Sequence, residues 1–159
     1  MPIEVTSEGE ATLFVDMYAV YDTLDADVQA RVAGLTGLHR HGAGPCGTMY
    51  EDSLDDDQDE DSVDAVHPVV KVHPVSGKRA LYLNETHTRR FRELEPTESV
   101  QLLQRMVVHA TRPDNTYVHD WSVGDLLIWD RRSTIHWTAG DFSSDQRRVK
   151  IRAIVEEFE

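Results

Sequence analysis

YVHDWSVGDLLIWDRRSTIHWT, residues 117–138, is the stretch whose reading decides the fold. Short apolar runs alternate with turn residues, which predicts strands over 116–121, 125–130 and 133–138. A fourth strand is predicted over 147–155, in RRVKIRAIV. There Val149, Ile151, Ala153 and Val155 fall on one face, and Arg148, Lys150 and Arg152 on the other. That pattern has two readings. One is a half-exposed strand with a cationic outer face. The other is a pocket wall facing an anion, because the planar guanidinium fork binds carboxylates and sulfonates bidentately. His136 sits inside an apolar-flanked β-run. A neutral imidazole there can ligate a metal, although a core histidine held by a backbone hydrogen bond is the commoner case.

Upstream, VHPVVKVHP and GKRALYLN predict a strand, a turn at Pro74-Val75-Ser76-Gly77 and a returning strand. Pro96-Thr97-Glu98 opens a helix with Val100, Leu102, Leu103, Met106, Val107 and Ala110 facing inward, and Pro113 closes it. ATLFVD, residues 11–16, is β-compatible. After it Met17, Val20, Leu24, Val28, Val32 and Leu35 recur at helical spacing. That suggests one or two helices with Asp25 or Asp27 as N-cap and Gly34 and Gly37 at the end. Residues 39–47, HRHGAGPCG, read as a loop leading into the tract EDSLDDDQDEDSVD, residues 51–64. The predicted class is mainly β with helical insertions, a sandwich or barrel in one domain over 1–159.

The net charge is −13, and nine acids with no Lys or Arg among them lie in 51–64, leaving −4 for the rest. That balance argues against nucleic-acid binding, which draws its affinity from phosphate neutralisation. The acidic tract lacks the spaced ligands and turn glycine of an EF-hand loop, so it reads as a solvated insertion. No run approaches the ~18 apolar residues of a membrane span. The N-terminus has no basic start or apolar core of a secretory signal, so a cytoplasmic protein is expected. The one cysteine, Cys46, excludes an internal disulfide and a thiolate-rich zinc site.

Four blocks together carry a resemblance. GEATLFVDMYAVYDTL (9–24), HPVVKVHPVSGKRALYLNE (67–85), YVHDWSVGDLLIWDRRSTIHWT (117–138) and QRRVKIRA (146–153) are similar, in that order, to the taurine dioxygenase (TauD/TfdA) family of iron(II)/2-oxoglutarate-dependent oxygenases. The resemblance implies a double-stranded β-helix, or jelly-roll, with helical insertions. Its iron is held by an H-x-D/E pair and a distal His. 2-Oxoglutarate is the co-substrate, becoming succinate and carbon dioxide as a small substrate is oxidised. By position His136 matches the distal iron ligand. Arg148 matches the arginine that binds the distal carboxylate of 2-oxoglutarate, with Arg147 as alternative because the spacing is one residue longer. Thr12 matches the threonine supporting that carboxylate; without the family it is a β-branched strand residue. Arg152 matches a substrate-anion arginine, and His87 stands where the taurine enzyme has a pocket phenylalanine. The implied substrate is a small sulfonate or carboxylate.

One departure is large. None of the eight histidines begins an H-x-D or H-x-E pair, and His119 and Asp120 are adjacent, which in a strand sends them to opposite faces. In the family the pair lies upstream of the stretch that residues 9–14 match. The chain is therefore expected to represent the C-terminal part of the fold, incomplete at its N-terminus and lacking two of three iron ligands. Alone it should be inactive or poorly folded, with exposed barrel edges that leave room for homo-oligomerisation. Two other readings stand beside this one: a non-catalytic diacid-binding or interaction module of the same descent, and a metal site rebuilt from other ligands such as His39-x-His41.

Overall fold

Strand β2, Thr12–Asp16, is the element around which the rest is arranged. In the computed structural model, which describes residues 1–4, 11–40, 65–140 and 149–155, it lies at the centre of a sheet ordered β8-β2-β9. Both neighbours, β8 (Thr116–His119) and β9 (Thr134–Thr138), run antiparallel to it. Phe14 is opposite Tyr117 and His136, while Val15 is opposite Thr116 and Ile135. Because side chains alternate along a strand, the two sets face opposite ways. Val15, with Ile135 and Trp137 beside it, joins the hydrophobic core. Phe14, Tyr117 and His136 form the other face.

Asp16 ends β2 and at once caps helix α1, Met17–Asp22: its Oδ1 accepts from the backbone N–H of Tyr18 at 2.9 Å and Ala19 at 3.4 Å. Helix α2, Ala26–Val32, follows, with Asp25 in the N-cap position as expected and Asp27 in the first turn, where the helix dipole favours it. Gly34 lies just past α2, but Gly37 is a correction. It belongs to β3, Thr36–His39, and a Cβ there would meet His39 Nε2 at 2.7 Å. The residue is small to make room for an imidazole, not to end a helix.

Strand β3 is central in a second sheet, between β4 (Ala65–Pro68) and β7 (Thr88–Phe91). VHPVVKVHP is therefore two strands rather than one. Pro68 has no N–H to continue the ladder. At fully buried Val69 the chain crosses between sheets, donating to Leu35 O at 3.0 Å and accepting from Tyr82 N at 2.7 Å. Strand β5, Val70–Val72, then pairs with β6, Arg79–Leu81, as the hairpin expected from the sequence. Its turn closes through Gly77 at φ 69°, a left-handed conformation that glycine adopts without strain.

Helix α3, Pro96–Ala110, places proline in its first turn and buries Leu102, Leu103, Met106 and Ala110. The sequence reading omitted Ser99, which is wholly buried and accepts the Phe91 N–H at 2.7 Å. Pro113 opens a short 3-10 turn, Pro113–Asn115, past the helix end.

Two predicted strands are corrected. Residues 125–130 form no strand, although the alternation persists: Leu127 and Trp129 are half-buried while Leu126 and Ile128 are exposed. A strand needs a neighbour, and none among the described residues lies beside this stretch. The strand predicted over 147–155 shrinks to β10, Val149–Lys150, paired with β1, Pro2–Glu4, which the sequence reading had not proposed. Beyond it Ile151, Ile154 and Val155 are exposed instead of forming a buried face. The class is mainly β with few helices. No described helix is long and apolar enough to cross a membrane. The acidic tract 51–64, Cys46 and His41 lie outside the described residues.

Candidate functional site

The turn before β9 sets where its histidine goes. Asp130 Oδ1 accepts from Arg132 N and Nε, each at 2.9 Å, and Oδ2 accepts from Arg132 Nη2 at 2.6 Å. His73, on the β5–β6 hairpin, accepts at Nδ1 from the N–H groups of Val75 and Ser76, so its proton is on Nε2, which donates to Asp130 Oδ2 at 2.9 Å. The Arg132 guanidinium, seconded by its own backbone N–H and by His73, holds the Asp130 carboxyl well below the usual carboxylate range. The Met17 N–H then bonds Ser133 O at 3.0 Å, locking β9 to the start of α1.

From that anchor β9 carries His136 to the sheet face bearing Phe14. The two rings stack at 5.7 Å with 18° between their planes, and Trp129 lies 5.0 Å from the imidazole. Partial desolvation of the ring, then the positive charges of Arg152 and Arg131, hold its pKa below the ordinary histidine value. His136 is thus poised as a neutral imidazole. Thr12, two residues from Phe14 and on the same face, is buried, and its Oγ1 accepts from Trp121 Nε1 at 2.8 Å. An indole N–H only donates, so Thr12 is the acceptor in that bond and its own hydroxyl hydrogen remains to be given elsewhere. Trp121 is held edge-on to His119 at 4.5 Å and lies under Lys150 Nζ at 4.8 Å.

Next to this face opens a cleft of about 680 Å³. His136 and Arg131 line one side; His39, His67, Tyr82 and His87 line others, and among the described residues no Asp or Glu contributes to it. His87 is set in a turn in which its N–H meets Asn84 O at 3.3 Å and its carbonyl accepts from Arg40 N at 2.9 Å. His67, Tyr82 and His39 form an aromatic group with ring separations of 5.0 to 5.7 Å. Lys71 Nζ sits 3.5 Å over the Tyr82 ring and 3.3 Å from His67 Nδ1.

Of the residues singled out from sequence, the structure brings His136 and His87 to one cleft and Thr12 to the same sheet face as His136. Arg152 is exposed in the segment after β10, with its charge felt at His136. Arg148 and its alternative Arg147 lie outside the described residues. Sequence reasoning missed His67, Tyr82, Arg131 and Trp121, and named His39 only as half of a His39-x-His41 metal pair. An imidazole surrounded by Phe14, Trp129 and two guanidinium groups does not make a cation site by itself. Among the described residues no group of three or more His, Cys, Asp or Glu is placed to hold a metal ion, so they do not by themselves complete an iron centre.

Desolvation, and after it the Lys71 charge, lowers the His67 pKa below 6.5; desolvation, then Arg112, does the same for His109. A histidine with a depressed folded-state pKa binds fewer protons than in the unfolded chain. Stability from this source is therefore present above the unfolded pKa of 6.5 and is lost as pH falls below it. Thermal midpoints recorded from about pH 8 to about pH 5 should decline on the acid side. His67→Gln, which retains an acceptor for Lys71, should flatten part of that decline. Asp130 contributes nothing to this window, because its depressed pKa matters only below the usual carboxylate range.

Comparison with known proteins places these features in a group. The family model described as "Taurine catabolism dioxygenase TauD, TfdA family" matches residues 2–154. The chain is 32% identical over 167 residues to pentalenolactone F synthase of Streptomyces arenae, covering 96% of this chain and 54% of that protein. It is 34% identical over 150 residues to the (S)-phenoxypropionate/alpha-ketoglutarate-dioxygenase of Sphingobium herbicidovorans, covering 91% and 52%. A crystal structure of AAD-2 in complex with Mn(II) and N-oxalylglycine superposes with a TM-score of 0.79 at 30% identity, covering 93% of this chain and 57% of that one. The chain spans about half the length of the curated relatives it matches.

Proposed function

The chain belongs to the TauD/TfdA family, and we propose that it serves an iron(II)/2-oxoglutarate-dependent dioxygenase that oxidises a small sulfonate or carboxylate, releasing succinate and carbon dioxide. The observation that carries this reading is the placement of a neutral His136 on the wall of a cleft that no Asp or Glu among the described residues lines, on the same sheet face as a Thr12 hydroxyl free to donate. In this reading Thr12 and Arg148 hold the distal carboxylate of 2-oxoglutarate, while Arg152 and His87 meet the substrate. His136 is one iron ligand, and the others come from outside the described residues. The phenoxypropionate relative acts, by its name, on a carboxylate, in keeping with an anion at Arg152. In the same reading residues 1–159 are part of one jelly-roll domain, to which the described sheets contribute.

A second reading is favoured by the lack of a metal-holding group among the described residues: a diacid-binding or interaction module of the same descent, without turnover. One titration tests both. The 159-residue chain is mixed with iron(II) and 2-oxoglutarate under argon, the visible charge-transfer band is recorded, and oxygen is then admitted with succinate as the readout. For the chain alone the expected result is calorimetric binding of 2-oxoglutarate with neither band nor succinate. A band followed by succinate would show that residues outside the described set complete the metal site. Absence of 2-oxoglutarate binding would defeat both readings.

A further inference from the structure

The segment that follows β8 builds a bracket around one indole. Asp125 closes the turn: its Oδ2 accepts from Ser122 N at 2.8 Å, and its own N–H bonds Ser122 O at 3.1 Å. Gly124, at φ 94°, donates its N–H to Pro2 O at 3.3 Å and ties the turn to β1. His119 rests against that fixed carboxylate. Its Nε2 is buried and lies 3.2 Å from Asp125 Oδ2. A nitrogen so placed carries its hydrogen, because a bare lone pair would face those of the carboxylate. Nδ1 is then left to accept from the Tyr117 hydroxyl at 3.4 Å. The sequence sets Asp120 beside His119, yet the partner is Asp125, which the turn carries back to the ring.

His119 is also the residue opposite Thr12 across the β2–β8 ladder. Its ring stands perpendicular to Trp121 with 4.5 Å between centroids, and Lys150 Nζ lies 4.8 Å over the same indole. The indole is thus confined on two sides, with its Nε1–H given to Thr12 Oγ1 at 2.8 Å. Of the two confining groups, Lys150 ends a flexible stem, whereas His119 is anchored through Asp125 to a closed turn. We infer that His119, fixed by Asp125, is a positioning residue for the co-substrate: it holds Trp121 in the orientation that turns the Thr12 hydroxyl hydrogen outward. This rests on the reading in which Thr12 holds the distal carboxylate of 2-oxoglutarate. A donor already aimed binds more tightly, since its ordering is complete before the ligand arrives.

The test reads two signals on the full chain. One is calorimetric binding of 2-oxoglutarate; the other is exchange of the Trp121 indole N–H with solvent in the unliganded protein, followed by nuclear magnetic resonance. His119→Ala should weaken 2-oxoglutarate binding by about 3- to 10-fold, the scale of one neutral hydrogen bond, and should speed the indole exchange. Asp125→Asn keeps an oxygen for the Ser122 N–H and removes the charge beside His119. It should move both signals the same way with a smaller loss of about 2- to 5-fold, and it decides the matter should His119→Ala fail to fold. In a Thr12→Val background neither change should weaken binding further, because no hydroxyl is left to aim. Equal losses in that background, or unaltered 2-oxoglutarate binding in the folded variants, would overturn the inference. An indole exchange rate unmoved by either variant would overturn it too, by leaving His119 a packing residue. A wild type that binds no 2-oxoglutarate would defeat the reading of Thr12 and with it the co-substrate role, while faster indole exchange in His119→Ala would still show that His119 holds Trp121.

Discussion

Alanine at Phe91 is expected to lower stability by about 3–5 kcal/mol, a large share of the ~5–15 kcal/mol that an ordinary domain possesses. Phe91 is wholly excluded from solvent and heads the fully buried side chains by volume. It ends β7, opposite Gly37 of β3, and joins the core shared by α1, α2 and α3. Its backbone N–H is given to Ser99 Oγ inside α3. The ring therefore holds the sheet that carries His39 against the helix behind it, and truncation leaves a cavity at a junction fixed on both sides. Urea unfolding should show the midpoint falling sharply with the slope unchanged. A loss below about 1 kcal/mol would mean that the core closes over the space and that the junction is not rigid.

Why Phe91 was not singled out from sequence shows where sequence reading stops. Helices α1 to α3 were legible because apolar residues recur at their period, and the hairpin because proline, serine and glycine mark its turn. Leu102, Leu103 and Met106 were placed inward for that reason and are buried. β7 reads TRRF, with two arginines inside it, and its burial comes from β3 and α3, which are distant in sequence. The same holds for β1, whose partner lies some 145 positions away. In the opposite direction, the alternation in 125–130 and 147–155 is real, yet alternation specifies a face and not a neighbour. The site divides likewise. His136, Thr12 and His87 were found through a resemblance that runs along the chain. The cleft that His136 and His87 line was not, because His39, His67, Tyr82 and Arg131 come from four separate segments that only the fold juxtaposes.

Thr12→Val should weaken 2-oxoglutarate binding by about 10- to 100-fold, the equivalent of the ~1.5–3 kcal/mol of a hydrogen bond to a charged group. Valine keeps the shape of the strand residue and removes only the donor. Trp121 makes the prediction sharper. Its Nε1–H occupies a lone pair of Thr12 Oγ1 at 2.8 Å, which aims the hydroxyl hydrogen away from the indole and towards the open face. Trp121→Phe keeps the ring under Lys150 but lets the hydroxyl turn, so a smaller loss of about 3- to 10-fold is expected, within the range of a neutral hydrogen bond. Combined in one chain, the two changes should cost no more than Thr12→Val alone, because Trp121 has nothing to orient once the hydroxyl is gone. Thr12→Ser, which restores the hydroxyl, should recover most of the affinity. The indole N–H resonance of Trp121 supplies the independent readout: it should shift when 2-oxoglutarate is added to the wild type and stay still in Thr12→Val. If Trp121→Phe is as costly in the valine background as in the wild type, the tryptophan acts by packing and the polarity argument for Thr12 is wrong.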